Sequence, residues 1–170
     1  MRLVELDPQA EPYREEMLAG EREPWGGTGE QLTWRNKTRN VGLREEDGTL
    51  LAAGGMVLVR LHTASGPPFP VVGLGGLVVR PGARGRGLAR ELSSRLLELA
   101  RELPAERAML FCEPRLRSLY GEFGFEEIAD PVWVEQPGGR VKMPMSAMWR
   151  PLRDGATWPP GELYLDGEPF

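Results

Sequence analysis

The sequence predicts an α/β domain, because a strand, a helix and a second strand follow one another in the middle of the chain. Apolar residues interrupted by glycines run from Val71 to Arg80 and predict the first strand. Leucines recur every three or four positions over Leu88–Leu103 and predict an amphipathic helix. The short apolar run Arg107–Cys112 predicts the second strand. A strand–helix–strand unit of this kind joins parallel strands.

Further elements are predicted on both sides of this unit. Helices are expected over Pro12–Gly20 and Arg115–Phe123. Asp47-Gly48 is a hairpin turn signal between two strands, and Thr63–Pro70 is expected to be an irregular loop. The remaining strands are expected over Arg2–Leu6, Asn40–Glu45, Leu50–Leu61, Phe125–Ile128, Val132–Val134, Arg140–Trp149 and Glu162–Leu165.

The composition fits one folded domain. Hydrophobic residues make up 41% of the 170 residues and charged residues 27%, which is enough for one sizeable core. We therefore predict a single domain over 1–170, with 152–170 as a Pro/Gly-rich C-terminal tail. The formal net charge of −4 is not that of a general nucleic-acid binder. No apolar run approaches the roughly 20 residues that cross a bilayer, so neither nucleic acid nor membrane is an expected partner.

The single cysteine and the N-terminus indicate the compartment. Cys112 has no second cysteine with which to form an intrachain disulfide, and this suits a reducing environment. The first residues lack the apolar core of a signal peptide. Together these features predict a cytoplasmic protein. They do not determine the oligomeric state, and a homodimer stays beside a monomer as a candidate assembly.

The stretch Val79–Ala89 joins the first strand of the central unit to its helix and is rich in Gly, Pro and Arg. A glycine-rich basic loop at a helix N-terminus suits a bound phosphate, because free backbone N–H groups and the helix dipole favour negative charge there. The P-loop pattern Gly-x-x-x-x-Gly-Lys-Ser/Thr does not occur. The dinucleotide fingerprint fails as well, because Gly85-Arg86-Gly87 is followed by Arg90 where a glycine is needed.

Two motifs resemble a known family. Arg84-Gly85-Arg86-Gly87-Leu88-Ala89 is similar to the Gln/Arg-x-x-Gly-x-Gly/Ala signature of the GCN5-related N-acetyltransferases, the GNAT superfamily. Further along, Glu113–Phe125 resembles the family's Asn-x-x-Ala-x-x-x-Tyr-x-x-x-Gly-Phe ending, with Tyr120 at the tyrosine position. The resemblance is strongest over Val71–Ile128. It implies the GNAT fold, a mixed and mostly antiparallel central sheet with a splayed parallel strand pair and flanking helices.

The resemblance implies an acyl-CoA-dependent N-acyltransferase that uses acetyl-coenzyme A and no metal. The pyrophosphate would lie on the backbone N–H groups of Arg84–Ala89, and the pantetheine arm would pair with Leu77, Val78 and Val79. An N–H near Val78 or Val79 would stabilise the oxyanion that forms when an amine attacks the thioester. Tyr120 would protonate the departing thiolate, and Cys112 would not be needed as an acyl carrier.

Two positions depart from the family pattern. Many members carry a glutamate on the fourth strand as general base, and this chain has Gly75-Gly76 there. Many members have an asparagine after the fifth strand, and this chain has Glu113. Glu113 is therefore a candidate base, acting directly or through water, and a plain substitution is the alternative.

The expected acceptor is a primary amine of a small molecule, to which the acetyl group passes directly. Trp25, Trp34 and Phe170 are candidate acceptor-binding residues, with core or lid packing as the alternative for the two tryptophans. The Pro/Gly-rich tail makes the layout loosely similar to aminoglycoside 2′-N-acetyltransferases. A non-catalytic acyl-CoA sensor on the same fold and a protein or peptide N-acetyltransferase are the competing functions.

Overall fold

A computed structural model describes residues 1–7, 17–18, 27–29 and 31–170. In these residues it shows a ten-stranded sheet and two helices whose bounds are defined, α1 (Leu88–Ala100) and α2 (Arg117–Glu122). Short 3₁₀ turns at Pro81–Ala83 and Pro114–Leu116 precede them. The strands are β1 (Arg2–Leu6), β2 (Arg39–Arg44), β3 (Leu50–Thr63), β4 (Phe69–Val79), β5 (Arg107–Cys112), β6 (Glu126–Glu127), β7 (Val132–Val134), β8 (Val141–Lys142), β9 (Ser146–Pro151) and β10 (Leu163–Leu165).

The sheet has the mixed topology that the family resemblance implied. Its main path runs β6-β9-β5-β4-β3-β10-β7-β8, and β2 pairs with the first half of β3 and with β1. All strand pairs are antiparallel except β4 with β5 and β10 with β7. The fold class predicted from the sequence is therefore confirmed, including the parallel pair that flanks α1.

The parallel pair separates along its length. β4 and β5 pair only over Val72–Leu74 and Ala108–Leu110. Beyond these residues β5 stays paired with β9, whereas β4 stays paired with β3 as far as Val79. From Gly75 onward, in the part of the chain that the structure describes, the edge of β4 that faces β5 therefore has no strand partner.

A β-bulge lies where the two strands separate. The β3–β4 ladder shifts register after the pair Gly55–Gly75, so that Gly76 and Leu77 together face one residue of β3. Gly76 has a φ of 65°. This left-handed conformation is the one that glycine adopts at the first position of a bulge. The glycines that interrupt the apolar run in the sequence are thus explained in part by this bulge.

The two faces of the sheet are covered differently. The apolar side of α1 packs on one face, where Leu88, Leu92 and Leu96 are almost fully buried. On the other face a second apolar cluster gathers around Met109, and it includes Phe170 of the C-terminal segment. We call the segment Asp166–Phe170 the tail strap.

Several predicted boundaries need correction. The strand predicted over Arg140–Trp149 is wrong, because it is two strands, β8 and β9, that pair with different neighbours. Pro144 lies between them and has no N–H for a strand ladder. The loop predicted over Thr63–Pro70 is shorter, since β4 already begins at Phe69, and α1 ends at Ala100 rather than Leu103.

The N-terminal helix predicted over Pro12–Gly20 lies outside the described residues except for Met17 and Leu18. Those two residues are helical, and Met17 is fully buried against the apolar cluster that contains Val78. Neither helix with defined bounds in the described ranges is long and apolar enough to span a membrane.

Candidate active site

A cavity of about 90 Å³ opens where β4 and β5 separate. Its walls come from the bulge of β4, from α1, from the end of β5 and from α2. The polar or reactive side chains that line it are Ser93, Cys112, Glu113 and Tyr120. The structure thus brings Glu113 and Tyr120, both predicted from the sequence, to one cavity together with the bulge residue Leu77.

The glycine-rich loop presents backbone donors at the start of α1, the helix whose Ser93 and Leu96 line the cavity. Gly85 and Gly87 have φ of 81° and 79°, and an added Cβ at either position would meet no protein atom within 4 Å. Gly87 caps the N-terminus of α1 without a side-chain hydrogen bond, so the first N–H groups of the helix have no capping side chain. Arg86 pairs with Glu45 at 2.9 Å. This geometry suits a phosphate group at the helix N-terminus.

The peptide groups at the end of β4 alternate between β3 and the open edge. The N–H of Arg80 donates to the backbone of β3 at 2.8 Å, whereas the carbonyl of Val79 accepts from the Arg84 guanidinium at 3.2 Å. Successive residues of a strand point their N–H and carbonyl groups to opposite edges. The N–H and carbonyl of Val78 therefore face β3, and those of Leu77 and Val79 face the edge away from β3. Of these residues only Leu77 lines the cavity.

Tyr120 lies on α2 with its ring between two phenylalanines. The ring centroids of Phe123 and Phe125 are 6.0 Å and 6.2 Å away, both in edge contact. Burial raises the pKa of Tyr120 to about 12, and Cys112 contributes a smaller part of the shift. The phenol is therefore protonated at neutral pH, and at that pH it can give a proton to a basic leaving group.

Cys112 is a buried thiol at the end of β5. It is only 3% exposed, and its Sγ lies 3.8 Å from the Sδ of Met148. Burial raises the pKa of Cys112 to about 11. Because the thiolate is the nucleophilic form of cysteine, this thiol is poorly suited to carry an acyl group at neutral pH.

Glu113 has both carboxylate oxygens engaged by one residue. Oε1 accepts from the backbone N–H of Thr28 at 3.0 Å, and Oε2 accepts from the Thr28 hydroxyl at 2.8 Å. The Glu113 residue is only 8% exposed. The turn that holds Thr28 continues to Gly29, whose carbonyl accepts from the Trp34 indole at 3.0 Å. Glu113 therefore anchors a turn against the cavity.

No side chain fits at Gly73 or Gly75, on the face of β4 where the sequence has glycine in place of the expected carboxylate. A Cβ added to Gly73 would lie 2.5 Å from the ring of Phe170. A Cβ added to Gly75 would lie 2.9 Å from Cε of Lys37 and 3.1 Å from the backbone of Phe170. These two glycines are therefore required by close packing, which is a role that the sequence analysis did not identify. The alternation Gly73-Leu74-Gly75 was the available signal.

The candidate acceptor residues lie close to the cavity but not on its wall. Phe111 lines the cavity, and its ring contacts Trp34 on one side (6.5 Å between centroids) and Phe170 on the other (4.9 Å). Phe170 is only 2% exposed, so it lies behind Phe111. Trp25, the third candidate, is outside the described residues.

Comparison with protein families and curated proteins points to one family. The model of the "Acetyltransferase (GNAT) family" matches residues 5–125. A curated protein of Oryza sativa subsp. japonica, named "Probable glucosamine 6-phosphate N-acetyltransferase 2", is 43% identical over 51 residues, which are 30% of this chain and 31% of that protein. The matched region thus spans about a third of that relative.

Solved structures share the fold at low identity. A GNAT family N-acetyltransferase from Escherichia coli in complex with CoA has a TM-score of 0.63 at 19% identity, and the match covers 96% of this chain and 88% of that one. An aminoglycoside 6′-N-acetyltransferase complexed with coenzyme A has a TM-score of 0.60 at 13% identity, covering 92% and 100%. At such identities the likeness describes the architecture.

Proposed function

Because the chain belongs to the acetyltransferase (GNAT) family, a family of acyl-CoA-dependent N-acyltransferases, we propose that it transfers an acetyl group from acetyl-CoA to a primary amine of a small molecule. One observation carries this proposal. One cavity is lined by Leu77 of the β4 bulge, by the helix α1 that follows the glycine loop, and by the protonated Tyr120, and this arrangement suits thioester aminolysis.

The backbone of the loop and of β4 would hold the co-substrate. The N–H groups of Gly85–Ala89 at the start of α1 suit its pyrophosphate. The open edge of β4 at Leu77–Val79 suits the amide-containing pantetheine arm, which would pair there as an added strand does. For this pairing to form, the Arg84 guanidinium must leave the Val79 carbonyl.

Acetyl transfer then involves three groups one after another: the attacking amine, an N–H donor and Tyr120. The neutral amine attacks the thioester carbonyl, a carbon–nitrogen bond forms, and negative charge develops on the carbonyl oxygen. We assign the N–H of Leu77 as the donor to this oxyanion, because Leu77 lies at the bulge of β4 and lines the cavity. The carbon–sulfur bond then breaks, and Tyr120 gives its proton to the departing thiolate. The proton that the nitrogen releases as the amide forms returns Tyr120 to its neutral form. Most of the acceleration would come from holding both substrates together.

The ammonium group of the acceptor must lose a proton before it can attack, and β4 supplies no carboxylate to accept that proton. We propose that the ammonium group loses this proton to water, and that Glu113 serves chiefly to anchor Thr28, since both of its oxygens already accept hydrogen bonds. Glu113 as a base acting through water is the second candidate. In that role it would first have to release Thr28.

The named relative suggests which acceptors to try first. Its name gives glucosamine 6-phosphate as the acceptor of that protein, so an amino sugar is a reasonable first probe for this one. A cytoplasmic location remains part of the proposal, because both acetyl-CoA and phosphorylated amino sugars are soluble metabolites.

Calorimetric titration and a turnover assay test the proposal. We expect acetyl-CoA to bind and to raise the melting temperature, and we expect CoA release with one or more members of an amine panel. The panel contains glucosamine 6-phosphate, glucosamine, spermidine, kanamycin and the amino acids. No binding of acetyl-CoA would refute the proposal. Binding without turnover of any amine or peptide would favour the acyl-CoA sensor, and turnover of peptides alone would favour a protein acetyltransferase.

A further inference from the structure

We propose that the tail strap positions the acceptor side of the cavity, and that Phe170 limits the size of the amine by supporting Phe111. This inference rests on the proposed function, because it concerns the acceptor for the same cavity. Phe170 is a positioning residue here, since its ring contacts Phe111 rather than the cavity itself.

Arg35 holds the strap through its backbone. The N–H of Arg35 donates to the carbonyl of Pro169 at 2.8 Å, its Nε donates to the carbonyl of Glu168 at 2.5 Å, and its Nη2 donates to the carbonyl of Asp166 at 2.6 Å. At the start of the strap the N–H of Asp166 donates to the carbonyl of Arg60 on β3 at 2.9 Å. The N–H of Glu135 also donates to the carbonyl of Gly167 at 3.0 Å, so the path of the strap is determined by Arg35, Glu135 and β3 through main-chain groups.

This path places Phe170 in a slot made by a glycine. Three ring atoms of Phe170 lie 2.5 Å to 2.7 Å from the position that a Cβ on Gly73 would take. Gly73 pairs with Met109 of β5, one residue before the last β4–β5 pair. The ring is therefore seated on the sheet beside the point where β4 and β5 separate.

From this seat Phe170 restrains a residue of the cavity wall. Its ring centroid lies 4.9 Å from that of Phe111, and Trp34 contacts the Phe111 ring from another direction at 6.5 Å. Phe111 and Met145 make an apolar part of the cavity wall. With Phe170 in place Phe111 has no space to withdraw, so the cavity suits a compact amine and excludes an aromatic one.

The test compares Phe170→Ala with the unchanged full chain, titrated by calorimetry with and without saturating CoA. The probes are ethylamine and benzylamine. We expect the variant to bind benzylamine at least about tenfold more tightly than the unchanged chain, since an apolar pocket of altered size commonly shifts selectivity by this much. Affinity for ethylamine and for acetyl-CoA should stay the same. Phe170→Leu, a smaller perturbation, replaces Phe170→Ala if the latter does not fold.

Phe69→Ala is the matched control. It removes the ring of the first residue of β4, which packs on Trp158 with 6.0 Å between centroids and does not line the cavity. We expect it to leave benzylamine binding unchanged. Arg35→Lys should shift benzylamine binding in the same direction as Phe170→Ala but less, because lysine keeps the charge and loses the forked donor.

The outcomes separate this inference from the proposed function. If acetyl-CoA does not bind to the unchanged chain, the proposed function fails. The titrations without CoA still compare amine binding by the unchanged chain with amine binding by Phe170→Ala. If Phe170→Ala binds benzylamine no better than the unchanged chain, the positioning role of Phe170 is refuted. A loss of acetyl-CoA and amine binding in equal proportion would likewise refute it, because that result indicates a merely structural residue.

Discussion

The two ends of β4 are built in opposite ways. At the Val79 end the chain passes directly into the loop and then into α1, so the backbone donors for a phosphate come from neighbouring residues. Toward the other end, at Gly73, the same strand packs on Phe170, which lies far away in the sequence and belongs to the strap that Arg35 holds. The end proposed for the co-substrate depends on local backbone conformation, whereas the end proposed for the acceptor depends on long-range packing.

This difference would allow the proposed co-substrate site to stay the same while the proposed acceptor side changes. A local motif keeps its geometry when distant parts of the chain change, because its conformation is determined by glycines and by the start of one helix. A surface assembled from separate segments changes with any one of them. The two ends should therefore respond separately to substitution.

The largest expected effect is at the co-substrate end. Gly87→Glu should weaken acetyl-CoA binding at least about 100-fold, because it forces a side chain into a left-handed conformation and adds negative charge at a helix N-terminus. Gly155→Glu is the control, since Gly155 has the same φ of 79° and equally open surroundings. Equal affinity of both variants for acetyl-CoA in calorimetry would show that the loop does not bind the phosphates.

Tyr120→Phe tests the chemistry between the two ends. We expect kcat to fall about 100-fold with unchanged acetyl-CoA affinity, since a general acid contributes at least this much. Because burial raises the pKa of Tyr120 to about 12, its acid form is retained well above neutral pH, and the ratio of the two rates should stay constant from about pH 6 to pH 9.

Tyr164→Phe is the matched control, because Tyr164 is a surface tyrosine whose hydroxyl contacts Glu162 at 3.2 Å. Its rate should equal that of the unchanged chain. An alkaline limb near about pH 9 that disappears in Tyr120→Phe would contradict the raised pKa.

Gly73→Ala tests the acceptor end through stability. Its methyl group would overlap the Phe170 ring, so we expect the free energy of unfolding to fall by about 2 kcal/mol in chemical denaturation. Gly82→Ala, which meets no atom within 4 Å, should change it by less than about 0.5 kcal/mol. Combining Gly73→Ala with Phe170→Ala should cost less than the sum of the two changes, and strict additivity would show that the two sites do not touch.

The smallest expected effect is at Glu113. Gln can still accept from the N–H of Thr28 and donate to its hydroxyl oxygen, so Glu113→Gln should keep the anchor and lower kcat no more than about threefold, a cost of under 1 kcal/mol. Thr28→Val, which loses the hydroxyl, should lower the free energy of unfolding by about 1 kcal/mol. A drop in kcat of about 100-fold in Glu113→Gln, with loss of an acidic limb in the pH profile, would instead identify Glu113 as the base.

The sequence predicted the features that rest on local signals. The strand–helix–strand unit follows from the leucine spacing of α1, and the glycine loop before it follows from Gly85 and Gly87. The position of Tyr120 on the helix after β5, where it lines the cavity, followed from the family motif.

Other features could not be predicted, because they join residues without a shared pattern. The contact of Glu113 with Thr28 spans 85 positions, and nothing in either segment indicates the other. Gly73 and Gly75 were recognisable as unusual, but only the structure identifies Phe170 and Lys37 as the reason. The break at Pro144 was readable, since proline has no N–H to donate to a neighbouring strand, yet the apolar run around it suggested one strand.

The bulge at Gly76 changes the phase of side chains along β4. Before it, the even-numbered Leu74 packs with α1, whereas after it the odd-numbered Leu77 and Val79 do so and Val78 points to the opposite face. Gly76 is one extra residue in the strand, so the residue numbers of the side chains that face α1 change from even to odd after it. Deleting Gly76 would pair Leu77 directly with Gly54 and leave every side chain of β4 on its present face, so the extra residue shapes the backbone where β4 leaves β5 and does not change which side chains are buried.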